Sequence, residues 1–284
     1  MSALPSEARL RDPGVTWIRP TRGWGGLQLR ELWRFRELFY FLVWRDIKVR
    51  YKQTLLGAAW AILQPFLTMV VFSIFFGELA KMPSDGIPYP IFSFSALLPW
   101  QLFEGGISKA GTSLVAGRNL ITKVYFPRLA VPAAPILAGA VDFCLALLVL
   151  FAMMAYYHTP LTWAALTLPV YLLLALVTAL GVGFWLAALN VAYRDIGYVI
   201  PFLVRVWFFS TPITYAISLV PEKWQAAYWL NPMVGVVQGF RWAILGVGRP
   251  PEILLLASAG VGLCLLGTGI AYFRRMERTF ADVV

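Results

Sequence analysis

At 284 residues, 60% hydrophobic and only 13% charged, with a mean hydropathy of +0.70, the chain is too apolar for a water-soluble globule. Its formal charge of +10 comes from 24 Lys and Arg against 14 Asp and Glu, so the question is which side of a bilayer holds the excess rather than whether nucleic acid is bound. Two cysteines and one histidine exclude a disulfide scaffold and a Cys/His zinc site.

In chain order, residues 1–26 hold Pro5, Pro13 and Pro20 among arginines and no apolar run of signal-peptide length. They read as a basic cytoplasmic tail. In 27–52, Leu32, Trp33, Phe39, Leu42, Val43 and Ile47 recur at helical spacing, opposite Arg34, Arg36, Glu37, Arg45 and Lys48. A basic amphipathic helix with an aromatic face lies in the membrane surface rather than across it. Crossing the hydrocarbon core takes about 20 apolar residues as helix. The clearest spans are 57–77, 131–157, 162–189 and 253–273. Two weaker ones are 89–112, which carries Glu104 and Lys109, and 196–216, interrupted by Arg205 and bent by Pro201 and Pro212. A seventh candidate, 233–248, is too short and holds Arg241.

Charge decides between six spans and seven. With six, and the N-terminus inside, 18 of the 24 Lys and Arg fall in cytoplasmic segments and 4 outside. That is the positive-inside bias; a seventh span would move Arg274, Arg275 and Arg278 outside. The expected fold is an all-α, multi-pass integral membrane protein with six transmembrane helices and both termini cytoplasmic. Its large external segment, 217–250, is rich in Trp and Tyr and breaks at Asn231-Pro232, which reads as two short re-entrant gate helices between spans 5 and 6. The cytoplasmic stretch 118–128 mixes cations with Tyr125 and Phe126 and ends at Pro127, the composition of a small helix displayed for docking.

Enzyme chemistry is thin. There is no GxxxxGK[ST] phosphate cradle, and His158 stands alone. Glu104 and Asp142 lie on different spans, and Cys144 and Cys264 read as small apolar fillers. Four ionisable residues within spans, Glu104, Lys109, Asp142 and Arg205, point to a bundle interior or a wet path. Arg205 is expected either to face that path or to pair with Asp142.

One run of residues is specific: Arg45-Asp46-Ile47-Lys48-Val49-Arg50-Tyr51, leading through Leu56-Gly57 to Trp60 and Pro65. A second is Asn119-Leu120-Ile121 with Lys123-Val124-Tyr125-Phe126-Pro127-Arg128. Leu98-Pro99-Trp100, Tyr193-Arg194-Asp195-Ile196, Thr211-Pro212-Ile213-Thr214-Tyr215 and Asn231-Pro232-Met233 with Arg241 follow in the same order. With these motifs, covering about 45–245, the chain resembles the membrane subunit of ABC-2 type polysaccharide exporters, the group that exports O-antigens, capsules and teichoic acids.

The resemblance implies a single ABC-2 transmembrane domain over 53–284. It implies a homodimer in the bacterial inner membrane, bound to two separate ATPase subunits that hold the ATP and Mg, with no cofactor in this chain and a lipid-linked polysaccharide as cargo. Under it, 27–52 is the interface helix, with Arg45, Asp46, Lys48, Arg50 and Tyr51. Residues 118–128 are the coupling helix, with Arg118, Asn119, Lys123, Tyr125, Phe126, Pro127 and Arg128. The channel lining is expected from Trp60, Phe66, Arg205, Trp207, Phe208 and Tyr215, because flat sugar faces slide on aromatic rings. The external gate is expected from Tyr228, Trp229, Asn231, Pro232 and Arg241. The alternative within the same superfamily is an exporter permease for a drug or small lipid.

Overall fold

The computed structural model describes residues 33–52, 57, 59–118, 120, 126–246, 253–277 and 280. Among these there is no strand, and nine α-helices follow one another. They are α1 (Arg36–Tyr51), α2 (Ala59–Phe72), α3 (Tyr89–Ala116), α4 (Ala130–Tyr156), α5 (Leu168–Ala192), α6 (Ile196–Phe209), α7 (Glu222–Tyr228), α8 (Pro232–Leu245) and α9 (Ile253–Glu277). A π-helical stretch, Ser73–Leu79, prolongs α2, and a 3-10 turn, Trp163–Thr167, leads into α5. Four continuous helical runs are long and apolar enough to cross a membrane: Ala59–Leu79, Ala130–Tyr156, Trp163–Ala192 and Leu255–Glu277. The basic tail 1–26 and the first residues of the expected interface helix lie outside the described residues.

Helix α3 is the axle. Every described side chain from Ile91 to Trp100 on it is buried, enclosed by its packing against α2, α4, α5, α6 and α8. Helices α5 and α9 touch backbone to backbone. A Cβ at Gly181 would stand 2.6 Å from the Leu266 nitrogen, and one at Gly269 would stand 2.5 Å from the Gly181 oxygen. Small residues serve this way in membranes because lipid supplies no hydrophobic drive, so close dispersion contact holds helices together. The outer surface is apolar, with Phe75, Leu148, Leu173, Leu256 and Leu263 all exposed. Cys144 and Cys264 are exposed on it too, rather than filling interior gaps.

Two expectations shift. The stretch 196–216 is helical only to Phe209 and turns through a run of bends from Thr211 to Tyr215. Pro212 lacks an N–H and its ring disfavours a helical residue before it. The Ser210 and Thr211 hydroxyls then bond back to the Val206 and Trp207 carbonyls, both at 2.9 Å, and close the helix end. The second shift is in α1. Phe35, Leu38, Phe39, Leu42, Val43, Asp46, Ile47 and Arg50 are its inward stripe, while Trp33, Tyr40, Phe41 and Trp44 point outward. Leu32 of the expected apolar face lies outside the described residues and Trp33 is exposed, while Phe39, Leu42 and Val43 are spent on the protein itself, against the start of α4 and the neighbouring ends of α3 and α5.

Candidate functional site

Beyond the end of α6, the bends 211–215 leave carbonyls without helical partners, and these must be satisfied by something. Arg241 of α8 does most of it. It is 4% exposed and donates from Nη1 to the Pro212 oxygen at 3.0 Å and from Nη2 to the Ile213 and Phe92 oxygens at 2.9 and 3.4 Å. Its guanidinium carbon stands 3.6 Å from the centre of the Phe92 ring. The Tyr89 hydroxyl donates to the Thr214 oxygen at 2.7 Å. Arg241 is therefore buried in the fold, holding the turn between α6 and α7 against α3.

Asn231 ties the same corner from the other side. Its Oδ1 caps α8, accepting from the Met233 N–H at 3.0 Å, and also accepts from Trp207 Nε1 at 2.8 Å. Its Nδ2 donates to the Ser210 oxygen and the Thr211 hydroxyl at 3.2 and 3.1 Å. The break at Asn231-Pro232 is thus the joint between α6 and α8. Trp229 is buried beneath it, and the Tyr215 and Tyr228 hydroxyls meet at 3.2 Å beside it. Gly239 lets α8 seat on the Tyr171 ring, which a Cβ would approach to 2.0 Å.

The expected lining residues divide. Trp60 and Phe66 are accessible on α2. Arg205 is exposed on one face of α6 with Tyr198, Phe202 and Phe209. Trp207 and Phe208 are instead packed between helices. Trp207 lies edge-on to Phe103 at 4.9 Å between ring centres, and Phe208 lies 5.5 Å from Trp100 and 5.8 Å from Phe72.

Where α3 ends, Arg118 is exposed, while Asn119, Lys123 and Tyr125 fall outside the described residues. Phe126 is only 4% exposed, in a cluster with Leu42, Leu114, Leu129 and Phe184, so it is not displayed for docking as its sequence context implied. After Pro127 the chain turns directly into α4, and this swings Phe126 beneath α1 instead of outward. The Arg128 guanidinium donates to the Glu277 oxygen at 2.5 Å. On α1, Arg45 pairs with its neighbour Asp46 at 2.8 Å, and Lys48 stands 5.4 Å from the centre of the Trp44 ring. Arg50 and Tyr51 both bind Asp142 of α4. Burial holds the Arg50 guanidinium below its ordinary range, opposed by Tyr51 and Asp46, yet it stays a cation. Asp142 is therefore the partner of α1 and is not paired with Arg205. No group of three His, Cys, Asp or Glu that could hold a metal ion comes together among the described residues.

These elements have counterparts in known proteins. Residues 37–245 match the ABC-2 type transporter family. The chain is 32% identical over 260 residues to the O-antigen export system permease protein RfbA of Myxococcus xanthus, covering 90% of this chain and 98% of that protein. It is 26% identical over 251 residues to the O-antigen export system permease protein RfbA of Klebsiella pneumoniae, covering 87% and 95%. It is also 26% identical over 248 residues to the polysialic acid transport protein KpsM of Escherichia coli, covering 82% and 91%. With the match running from the first turn of α1 to the last residue of α8, this chain belongs to the ABC-2 type transporter family.

Proposed function

We propose that this chain is the channel-forming permease subunit of an ATP-driven exporter that moves a lipid-linked polysaccharide outward across the bacterial inner membrane. One observation carries the proposal: its near end-to-end similarity to permeases named for O-antigen export. The chain has no phosphate cradle, so ATP and Mg belong to a separate ATPase, two copies of which bind a homodimer of this chain on the cytoplasmic side. The six spans are α2, α3, α4, α5, α9 and α6 with its bent extension, and both termini are cytoplasmic. Helix α6 alone, at 14 residues, covers about 21 Å, short of a core of about 30 Å. The bends 211–215 supply the remainder, and irregular backbone is tolerated at that depth where its polar groups are held by protein, as Arg241 and Tyr89 hold them.

The test is assembly and stimulation. Co-expressed with its ATPase, the chain should purify as a two-plus-two complex whose ATP hydrolysis rises when lipid-linked glycan is added. Purified alone it should hydrolyse none. Stimulation by small lipophilic drugs, with none by glycan, would overturn the reading in favour of a drug exporter.

Arg205 supports a pathway along α6. With Asp142 engaged by α1, among the described residues no ion pair holds Arg205, and a cation left to lipid is costly. A wet lumen that carries phosphate or acidic sugar removes that cost, and guanidinium suits such anions. Arg205→Leu should cut export at least tenfold with the complex intact, and Arg205→Lys should keep most of it. Wild-type export by Arg205→Leu would remove Arg205 from the pathway.

A further inference from the structure

Asp142 stands twelve residues beyond Ala130 on α4, about 18 Å along the helix axis, in the middle of an apolar span. A carboxylate at that depth is expensive unless paired, so what pairs with it is informative. Its partners are the last two residues of α1, Arg50 and Tyr51, which arrive from a helix outside the span. The Arg50 and Asp142 side chains are 19% and 29% exposed, so the pair is largely withdrawn from its surroundings.

This is the polar attachment of α1. The apolar one centres on Leu42, 2% exposed, seated among Phe126, Leu129 and Ala130 at the start of α4, with Leu38, Phe39 and Val43 packed against the same cluster. The two points lie eight residues apart, about 12 Å along α1. One attachment would leave the helix free to pivot; two fix both its position and its direction. Breaking this part-buried pair from one side also leaves a charge with less compensation, which makes the polar attachment harder to release.

The geometry points to Asp142 as a positioning residue: its bonds to Arg50 and Tyr51 make α1 and α4 one rigid arm, so that a push on α1 from the cytoplasmic side moves the transmembrane body instead of swinging the helix. This rests on the transport reading above, in which α1 is the helix next to the ATPase. Asp142 acts through Arg50 and Tyr51.

Two readouts on the full complex test it, in a background with Cys144 and Cys264 replaced by Ala. The first is a nitroxide at Val49, an exposed position on α1, and it needs no transport. The second is glycan exported per ATP hydrolysed. Asp142→Asn and Arg50→Gln should each mobilise the label and lower export per ATP about tenfold, while ATP hydrolysis persists. The double variant should be no worse than either single, because paired residues are not additive. Where Asp142→Asn fails to assemble, Tyr51→Phe keeps the ring and drops one bond, and it should lower the ratio two- to threefold. An immobile label, or an unchanged ratio in the assembled single variants, would overturn the arm. A wild-type complex that exports no glycan would instead overturn the transport reading, and the label would still report on the tie.

Discussion

Arg241→Met should melt well below the wild type in detergent, and cleavage should begin in 211–216. Three carbonyls, those of Phe92, Pro212 and Ile213, would lose their donor within the protein. Leaving a buried acceptor unsatisfied costs about 1–3 kcal/mol each. Part of this is returned, because the variant no longer buries a charge. The net loss should be about 3 kcal/mol, a large share of a total stability of roughly 5–15 kcal/mol. Arg241→Lys should recover only part of it, since one ammonium cannot reproduce the fork that reaches Pro212 and Ile213 from separate nitrogens. A Met variant melting within a degree or two of wild type would show that the bends hold themselves.

Phe126→Ala should cost about 3–5 kcal/mol, the usual range for emptying a buried phenylalanine site. The ring lies in the cluster that joins α1 to α3, α4 and α5, so its loss should loosen the inner end as a whole. Yield and melting temperature should fall, and export per ATP in the complex that does assemble should fall only alongside them, because Leu42 of α1 seats against this ring. Phe126→Leu should recover most of the stability. The opposite pattern, normal melting with lost export, would return Phe126 to the docking surface that its neighbours in the sequence implied.

Phe126 and Trp207 show why composition misleads about direction. Aromatics next to cations in a short cytoplasmic stretch, or three in a row after Arg205, are visible as chemistry but not as orientation. Phe126 is turned in by the helix that starts beyond Pro127, and Trp207 by a hydrogen bond to Asn231, which caps α8. Phe209 remained exposed, and Arg205 with it, because both lie on a side of α6 that none of the described residues covers.

The sequence by itself determined that the chain is all helix in its described parts, where the long apolar runs fall, and to which family it belongs. These depend on sums over neighbours: hydropathy accumulates along a run, and the family motifs are local strings such as Arg45 to Tyr51. The break at Asn231-Pro232 was legible for the same reason, being written in two adjacent residues. The partners of charge were not. Asp142 could have met Arg205 on another span; it meets Arg50 and Tyr51, and Tyr51 is 91 positions away along the chain. Arg241 looked like a gate residue in a short helix, and it is an interior donor to carbonyls 28 and 29 residues away. A buried charge or carbonyl takes whichever partner the packed helices bring within bonding distance. Only the tertiary structure decides which that is.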